Sequence, residues 1–483
     1  MIAVAQKGAV AAGGLALFLL FAAAVALARR EAAAVAFLLT ALLTVFGAGA
    51  VYLATRNRQV KLGRLSSYLL IVLLWIGASL IAALPVAGST SLGFLDAWFE
   101  TVSALTTTGG GQLHELADLP RSILVWLLSL QWLGGLLTLV GAVAILAPAG
   151  VGGLPDRTAI APEQAHADRG VTFDDAIETV VPLYAGATVL CMLALFSVGL
   201  RGFDAFGLAT AAVSTGSVLP DADGMAAYGT FPVKLVMILF MLMGGTSVLW
   251  HRMFLTRRLR LAFTQRENIS VLMVVIIVGI LIASARYNNP QMAVSLPMAI
   301  ENGIFTATSL ITTSGIQLHD GDFASLPLSI VLLLLFVGGA TFSTSGGIKL
   351  HRVGAMCLQS LMELNRLVMP HAVRPRQLGR QTVTPQAMKA VWLCFIVAAV
   401  TVAGVAIAVA PAMPSFDAAY VAAISALTNA GPVYLVHWQP DVLWPAWSEL
   451  PAYAKLLLGA TMILGRLEVM AVVGLAHFAF WRR

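Results

Sequence analysis

The sequence predicts an all-α polytopic membrane protein: two N-terminal membrane helices, then four pseudo-symmetric repeats that each hold a short re-entrant segment. Three observations predict it. Charged residues make up only 11% of the 483 positions, against ~25% in soluble domains. Hydrophobic residues make up 59%. They lie in continuous runs long enough to span a bilayer, without the period-two alternation of a β-barrel. A short segment ending in Gly after Ser, Thr, Asn or Ala recurs four times along the chain. The composition excludes an ordinary soluble enzyme and a disordered chain.

Uncharged stretches between flanking charges give ten spans, at residues 8–28, 32–55, 65–95, 122–155, 179–200, 235–251, 268–285, 323–348, 390–416 and 456–481. The tenth is interrupted by Arg466 and Glu468. The first follows Lys7 and imitates a signal peptide. At 21 uncharged residues it exceeds a usual signal core, and further spans follow at once, so it reads as a membrane helix. Four moderately apolar stretches remain, at 95–108, 203–215, 297–314 and 416–430. They are too short to span and read as re-entrant half-helices. The chain then divides into two N-terminal helices (1–61), repeat one (62–155), repeat two (156–255), repeat three (256–350), a cytoplasmic linker (351–388) and repeat four (389–483).

The net charge of +6 is a matter of placement. Arg56, Arg58, Lys61 and Arg64 form one basic loop; Arg252, Arg257, Arg258, Arg260 and Arg266 a second; Lys349, Arg352, Arg366, Arg374, Arg376 and Arg380 a third. The alternate loops carry Asp96, Glu100, Asp221, Asp223, Asp320, Asp322 and Asp441. Positive loops stay cytoplasmic, which puts both termini on that side. Arg29, Arg30 and the acidic stretch 156–178 run against the rule and are outweighed by the three clusters. The positive charge therefore marks orientation in a membrane, with no call for nucleic acid. The three cysteines, Cys191, Cys357 and Cys394, lie far apart and form no disulfide framework or metal signature.

The re-entrant stretches end alike: S-A-L-T-T-T-G to Gly109, T-A-A-V-S-T-G to Gly216, S-L-I-T-T-S-G to Gly315 and S-A-L-T-N-A-G to Gly431. The glycines are 107, 99 and 116 residues apart, and Asp96, Asp204, Asn302 and Asp417 precede them by 12 to 14 residues. Such a period decides the architecture: four helix–pore-loop–helix repeats around one pore. Irregular backbone at membrane depth is tolerated only where it lines a cavity or is buried in protein. Four such loops on one axis can aim carbonyls inward and replace the water of a dehydrated cation. Half-helices with their C-terminal ends at the centre add negative potential. Uncharged oxygen ligands suit a monovalent ion, and no ring of carboxylates flanks the glycines. Close helix packing by small residues is the alternative for one copy; four copies at matching places favour a pore.

On these motifs the chain resembles the TrkH/TrkG/KtrB family of the K⁺ transporter superfamily. W-L-G-G-L (132–136), G-G-A-T-F-S-T-S-G-G-I-K (338–349) and G-R-L-E (465–468) add to the likeness. The two extra N-terminal helices fit the TrkH branch better than the KtrB branch. The resemblance implies potassium uptake across the bacterial inner membrane, one pore per subunit, a homodimer, and a cytosolic TrkA-like nucleotide-binding ring as gating partner. It places the K⁺ filter at Thr107, Thr108 and Gly109; Ser214, Thr215 and Gly216; Thr313, Ser314 and Gly315; and Asn429, Ala430 and Gly431. In related plant carriers serine at the first glycine position goes with Na⁺ permeation, so Gly109 favours K⁺. Two departures are visible: repeat one continues Gly110-Gly111, and repeat two, S-T-G-S-V, lacks a second threonine.

The last span of repeat three is broken by Gly338-Gly339 and Gly346-Gly347, with Thr341, Ser343, Thr344 and Ser345 between them. Glycines and hydroxyls in mid-span free backbone groups that need partners. They read as a flexible intramembrane gating loop, and the resemblance implies the same. Arg466 lies ten residues past Leu456, near mid-membrane. A charge there costs roughly 2.5–3.5 kcal/mol on insertion scales, so it needs a partner or a wet cavity. It reads as a cation below the filter that tunes gating, and Glu468 is a poor partner because two positions do not share a helix face.

His114, His319 and His437 follow three of the glycines and read as loop residues; Trp438, Trp444 and Trp447 read as anchors at the outer interface. The polar linker can meet the partner ring or lipid headgroups. No nucleotide-binding motif occurs, so nucleotide regulation falls to another chain. A membrane enzyme would want clustered ligands inside spans, which the sequence lacks. A Na⁺- or H⁺-coupled symporter with alternating access is the alternative reading. Such carriers usually have inverted repeats, whereas these repeats run parallel.

Overall fold

The computed structural model describes residues 1–58, 62–111, 119–146, 173–221, 223–289, 294–319, 321–369, 377–378, 381–382, 384–436, 438 and 441–467. Two N-terminal helices, α1 (Ile2–Arg29) and α2 (Ala33–Thr55), form a hairpin. Repeat one holds α3 (Arg64–Ser89), half-helix α4 (Phe94–Leu105) and α5 (Arg121–Gly141). Repeat two holds α6 (Phe173–Ser197), half-helix α7 (Gly202–Ser214) and α8 (Phe231–Gly245). Then come two short connectors, α9 (Val248–Leu255) and α10 (Leu259–Ala262). Repeat three holds α11 (Arg266–Tyr287), half-helix α12 (Leu296–Ile311) and α13 (Leu328–Val337). After α14 (Leu350–Val368), repeat four holds α15 (Pro385–Val409), half-helix α16 (Phe416–Thr428) and α17 (Ala452–Leu467). Among the described residues seven helices are long and apolar enough to cross a membrane, eight if one bent pair counts as a span.

The repeats close into a ring. Each repeat's second helix packs on its own half-helix and on the half-helix of the next repeat: α5 on α4 and α7, α8 on α7 and α12, α13 on α12 and α16, α17 on α16 and α4. The C-terminal turns of the half-helices are therefore buried, while outer helices show Leu42, Leu43, Phe46, Leu190, Leu193, Ile276 and Ile280 to the surroundings. That inversion of ordinary surface chemistry is what a lipid solvent requires. The N-terminal hairpin sits outside the ring. Phe37 meets Trp126 edge-on at 6.0 Å, and the Glu31 carboxylate accepts the Arg121 and Ser122 N–H groups that open α5.

Two elements differ from the sequence expectation. The span expected at 235–251 is not one helix: α8 stops at Gly245 and α9 leaves at 105°. The bend is tolerable because neighbours take the freed backbone groups. Asn268 Oδ1 accepts the Ser247 N–H at 2.9 Å, and the Phe342 carbonyl accepts the Val248 N–H at 2.9 Å. The expected linker begins with a helix, α14, whose His351, Arg352, Ala355 and Met356 are buried; farther on, Gln377 and Leu378 pair antiparallel with Thr382 and Gln381. The second half of the tenth span, with Glu468, lies outside the described residues. So do most of the acidic stretch 156–178, Asp320, Arg374, Arg376, Arg380, His114 and His437.

Candidate functional site

All four half-helices end with one cap. The residue after the last turn is left-handed: Thr107 (φ 58°), Thr215 (52°), Thr313 (57°) and Asn429 (57°). Its N–H reaches the carbonyl three residues back, at Ala104, Ala212, Leu310 and Ala426. The following N–H reaches the carbonyl five back: Thr108 to Ser103, Gly216 to Ala211, Ser314 to Ser309 and Ala430 to Ser425, all at 2.8–2.9 Å. This double bond pattern is the Schellman motif, which normally takes glycine at the left-handed position. A residue with a side chain costs roughly 1–2 kcal/mol there, and the surrounding ring holds four of them in place. The hydroxyl just before each cap also bonds back one turn: Thr106 to Val102, Ser214 to Thr210, Thr312 to Thr308, Thr428 to Ile424.

These equivalences shift the register of repeat two by one residue. Ser214 corresponds to Thr106, Thr312 and Thr428, and the place of Gly109, Gly315 and Gly431 falls to Ser217, not Gly216. Gly216 is glycine for another reason: a Cβ there would lie 2.5 Å from Gln131 Oε1. Ser217 and Gly109 face each other so closely that a Cβ on Gly109 would lie 1.9 Å from Ser217 Oγ. Ser217 Oγ donates to the Thr108 carbonyl at 2.9 Å, and the Gly431 N–H donates to the same carbonyl at 2.7 Å. Repeats one and three match best. Each has a second left-handed residue at its glycine (Gly109 65°, Gly315 70°) and a hydroxyl pair at 2.7 Å, Thr106–Thr108 and Thr312–Ser314. In repeat four, Asn429 Nδ2 donates to Thr108 Oγ1 at 3.0 Å and to the Met462 carbonyl at 2.9 Å. Asn429 Oδ1 is buried with no hydrogen-bond donor among the described residues. It is an uncharged oxygen of the kind a dehydrated monovalent cation accepts.

The broken segment of repeat three lies against these caps. α13 ends at Val337, capped by Gly338, and the chain resumes as helix at Leu350. Between them the Ala340 and Thr344 N–H groups donate to the Gly245 and Gly244 carbonyls. Thr344 Oγ1 meets Thr215 Oγ1 at 3.2 Å, and the Gly346 N–H donates to Thr313 Oγ1 at 2.6 Å. Arg466, 3% exposed, bridges the rest. Its guanidinium donates to the Thr106 carbonyl at 2.7 Å, to Thr107 Oγ1 and to the Thr344 carbonyl. Loop and arginine thus touch the ends of half-helices in repeats one, two and three. Lys349 ends the loop and donates to Ser345. Glu267 Oε1 accepts from the Thr341 N–H, the Thr341 hydroxyl and the His351 N–H, which fixes both sides of the loop.

A chain with this ring can be compared with known proteins. The profile of the TrkH family, described as cation transport protein, matches residues 34–479. The chain belongs to that family. It is 30% identical over 465 residues to the Trk system potassium uptake protein TrkH of Escherichia coli (strain K12), covering 95% of this chain and 94% of the relative. It is 28% identical over 465 residues to TrkG of the same organism, with the same coverage of each chain. The crystal structure of the potassium transporter TrkH from Vibrio parahaemolyticus superposes with a TM-score of 0.86 at 25% identity, over 100% of this chain and 99% of that one. Membership makes this an integral membrane cation transport protein and not an enzyme.

Within the family ring, a two-residue pattern explains the position of Arg466. Gly134 and Gly135 of α5 fit against the Leu105 carbonyl and Ser214; Gly244 and Gly245 of α8 fit against the Val213 carbonyl and Thr312. Gly465 of α17 fits against the Leu427 carbonyl in the same way, where a Cβ would approach to 2.1 Å. The next residue is Arg466, so the second glycine of the pair is replaced by the cation. The pairs G-G, G-G and G-R are visible in the sequence and are the signal that could have placed it.

Sequence reasoning missed the buried cations at the other end of the ring. Lys234, at the start of α8, pairs with Glu301 at 2.8 Å and donates to Asn302 Oδ1 at 3.2 Å. Lys455, at the start of α17, pairs with Asp96 at 2.7 Å. Each ties one repeat to the N-terminal turns of the next half-helix, where negative charge also suits the helix dipole. Asp204 accepts from Tyr228 Oη at 3.1 Å in repeat two; burial and this carboxylate both push the phenol above its ordinary value. Trp447 is not an interface anchor. It is 1% exposed, packed between Tyr434 and Phe99, and its ring closes on Gly110.

Proposed function

We propose that this chain takes up potassium across the bacterial inner membrane through a selectivity-filter pore on the axis of the four repeats. The observation that carries the reading is the convergence of four identically capped half-helix C-termini, whose carbonyls and hydroxyls are the ligands a dehydrated K⁺ needs. The names of the relatives, potassium uptake proteins, point the same way. The filter comprises Thr107–Gly109, Thr313–Gly315 and Asn429–Gly431 with the repeat-two strand through Ser217, and the ion is cargo held by them. The segment from Gly338 to Gly347 with Arg466 is the gate, and the hydrogen bonds of Arg466 to both sides favour its closed arrangement. The termini face the cytoplasm, the chain forms a homodimer, and a cytosolic nucleotide-binding ring acts on the gate; this chain binds no nucleotide itself. An inward potential of 100 mV supplies ~2.3 kcal/mol per ion.

The test is K⁺ and Na⁺ flux in proteoliposomes of the purified chain, wild type against Gly109→Ser made together with Ser217→Gly, because a side chain at 109 collides with Ser217. Saturable K⁺ flux with Na⁺ admitted only by the variant supports the filter. Equal Na⁺ and K⁺ flux in the wild type sinks the K⁺-selective reading.

A further inference from the structure

We propose that Gln131 is the positioning residue of the repeat-two filter strand and that Ser217, held by it, determines how well the pore tells K⁺ from Na⁺. The inference rests on the filter reading above.

Gln131 belongs to α5, a helix of repeat one, yet its whole amide is spent on repeat two. It is fully buried. Nε2 donates to the Val218 carbonyl at 3.0 Å and to Thr210 Oγ1 at 3.2 Å. Oε1 accepts the Val218 N–H at 3.2 Å. One side chain therefore satisfies both backbone groups of a single residue, as a neighbouring β-strand would, and ties it to the half-helix below. The glycine at 216 leaves the space that this approach needs.

The residue fixed beside that clasp is Ser217. Its hydroxyl takes the Thr108 carbonyl across the junction of repeats one and two. With the Gly431 N–H on the same oxygen, both lone pairs of that carbonyl are engaged. Ion preference in such a ring follows from the number of carbonyl dipoles, their field and the width they enclose. At this level the width between repeats one and two is set by a serine hydroxyl. Only one hydroxymethyl fits there, because a Cβ on Gly109 already collides with Ser217. Repeat two thus breaks the fourfold symmetry, and Gln131 holds it in that state from behind.

The experiment measures the K⁺/Na⁺ flux ratio in proteoliposomes for wild type, Gln131→Met, Ser217→Ala and Ser129→Ala. Methionine matches the volume of glutamine without its donor or acceptor. Ser129 lies on the same helix and, among the described residues, bonds only one turn back, to Val125, so it reports on generic packing. Each variant is first checked for a single size-exclusion peak and for thermal unfolding. Ser217→Ala, which removes one hydrogen bond, should lower the ratio by about 5- to 10-fold, the worth of that bond, and Gln131→Met, which removes three, should lower it by at least as much. Ser129→Ala should keep it. A selective wild type whose Gln131→Met and Ser217→Ala forms stay equally selective overturns this inference alone, and so does an equal loss in Ser129→Ala. A wild type without K⁺ preference overturns the filter reading and this inference together.

Discussion

Replacing Arg466 by alanine removes a side chain that joins the repeat-three loop to the end of the repeat-one half-helix. The guanidinium makes hydrogen bonds to Thr106, Thr107 and Thr344. Each bond from a charged donor is worth about 1.5–3 kcal/mol, and burying the cation costs several kcal/mol. The net tie is therefore a small difference, on the order of 1–3 kcal/mol, which corresponds to a 5- to 150-fold bias toward the closed arrangement. Arg466→Ala should raise K⁺ flux by a factor in that range. It should leave the K⁺/Na⁺ ratio alone, because the left-handed caps are held by backbone bonds the arginine does not make. Arg466→Lys should fall between, since an ammonium cannot reach three acceptors in the planar fork of a guanidinium. The assay is initial ⁸⁶Rb⁺ or K⁺ uptake into proteoliposomes, with competing Na⁺ for the ratio. Wild-type flux from folded Arg466→Ala protein would refute the reasoning. Loss of folded protein in both variants would assign the arginine to the scaffold.

Two further outcomes are expected. Shortening the segment between Gly338 and Gly347 by four residues should raise K⁺ flux without changing ion preference, read in the same vesicles; unchanged flux removes it from the gate. Lys234→Met should lower unfolding stability in detergent by about 3–5 kcal/mol, because Glu301 is left charged in a site only 18% exposed, and adding Glu301→Gln should restore most of it.

The sequence by itself determined the class of fold and the number of repeats. Apolar runs and a recurring glycine segment are local signals, and they suffice because lipid demands that each spanning helix satisfy its own backbone. The half-helices fall within a few residues of their expected places: Phe94–Leu105 for 95–108, Gly202–Ser214 for 203–215, Leu296–Ile311 for 297–314, Phe416–Thr428 for 416–430. The break at Gly338 was legible for the same reason. The register of repeat two was not. Gly216 looked like the match to Gly109 because both end a T-G pair, but that glycine answers to Gln131, 85 residues away in the chain. The bend after Gly245 depends on Asn268 and on the Phe342 carbonyl, and the burial of Lys234 on Glu301 from the next repeat. Arg466 was recognisable as costly in mid-membrane, yet its partners are carbonyls and a hydroxyl from repeats one and three. A periodic pattern reports what each segment must bury; only the closed ring decides which surface of another repeat it is buried against.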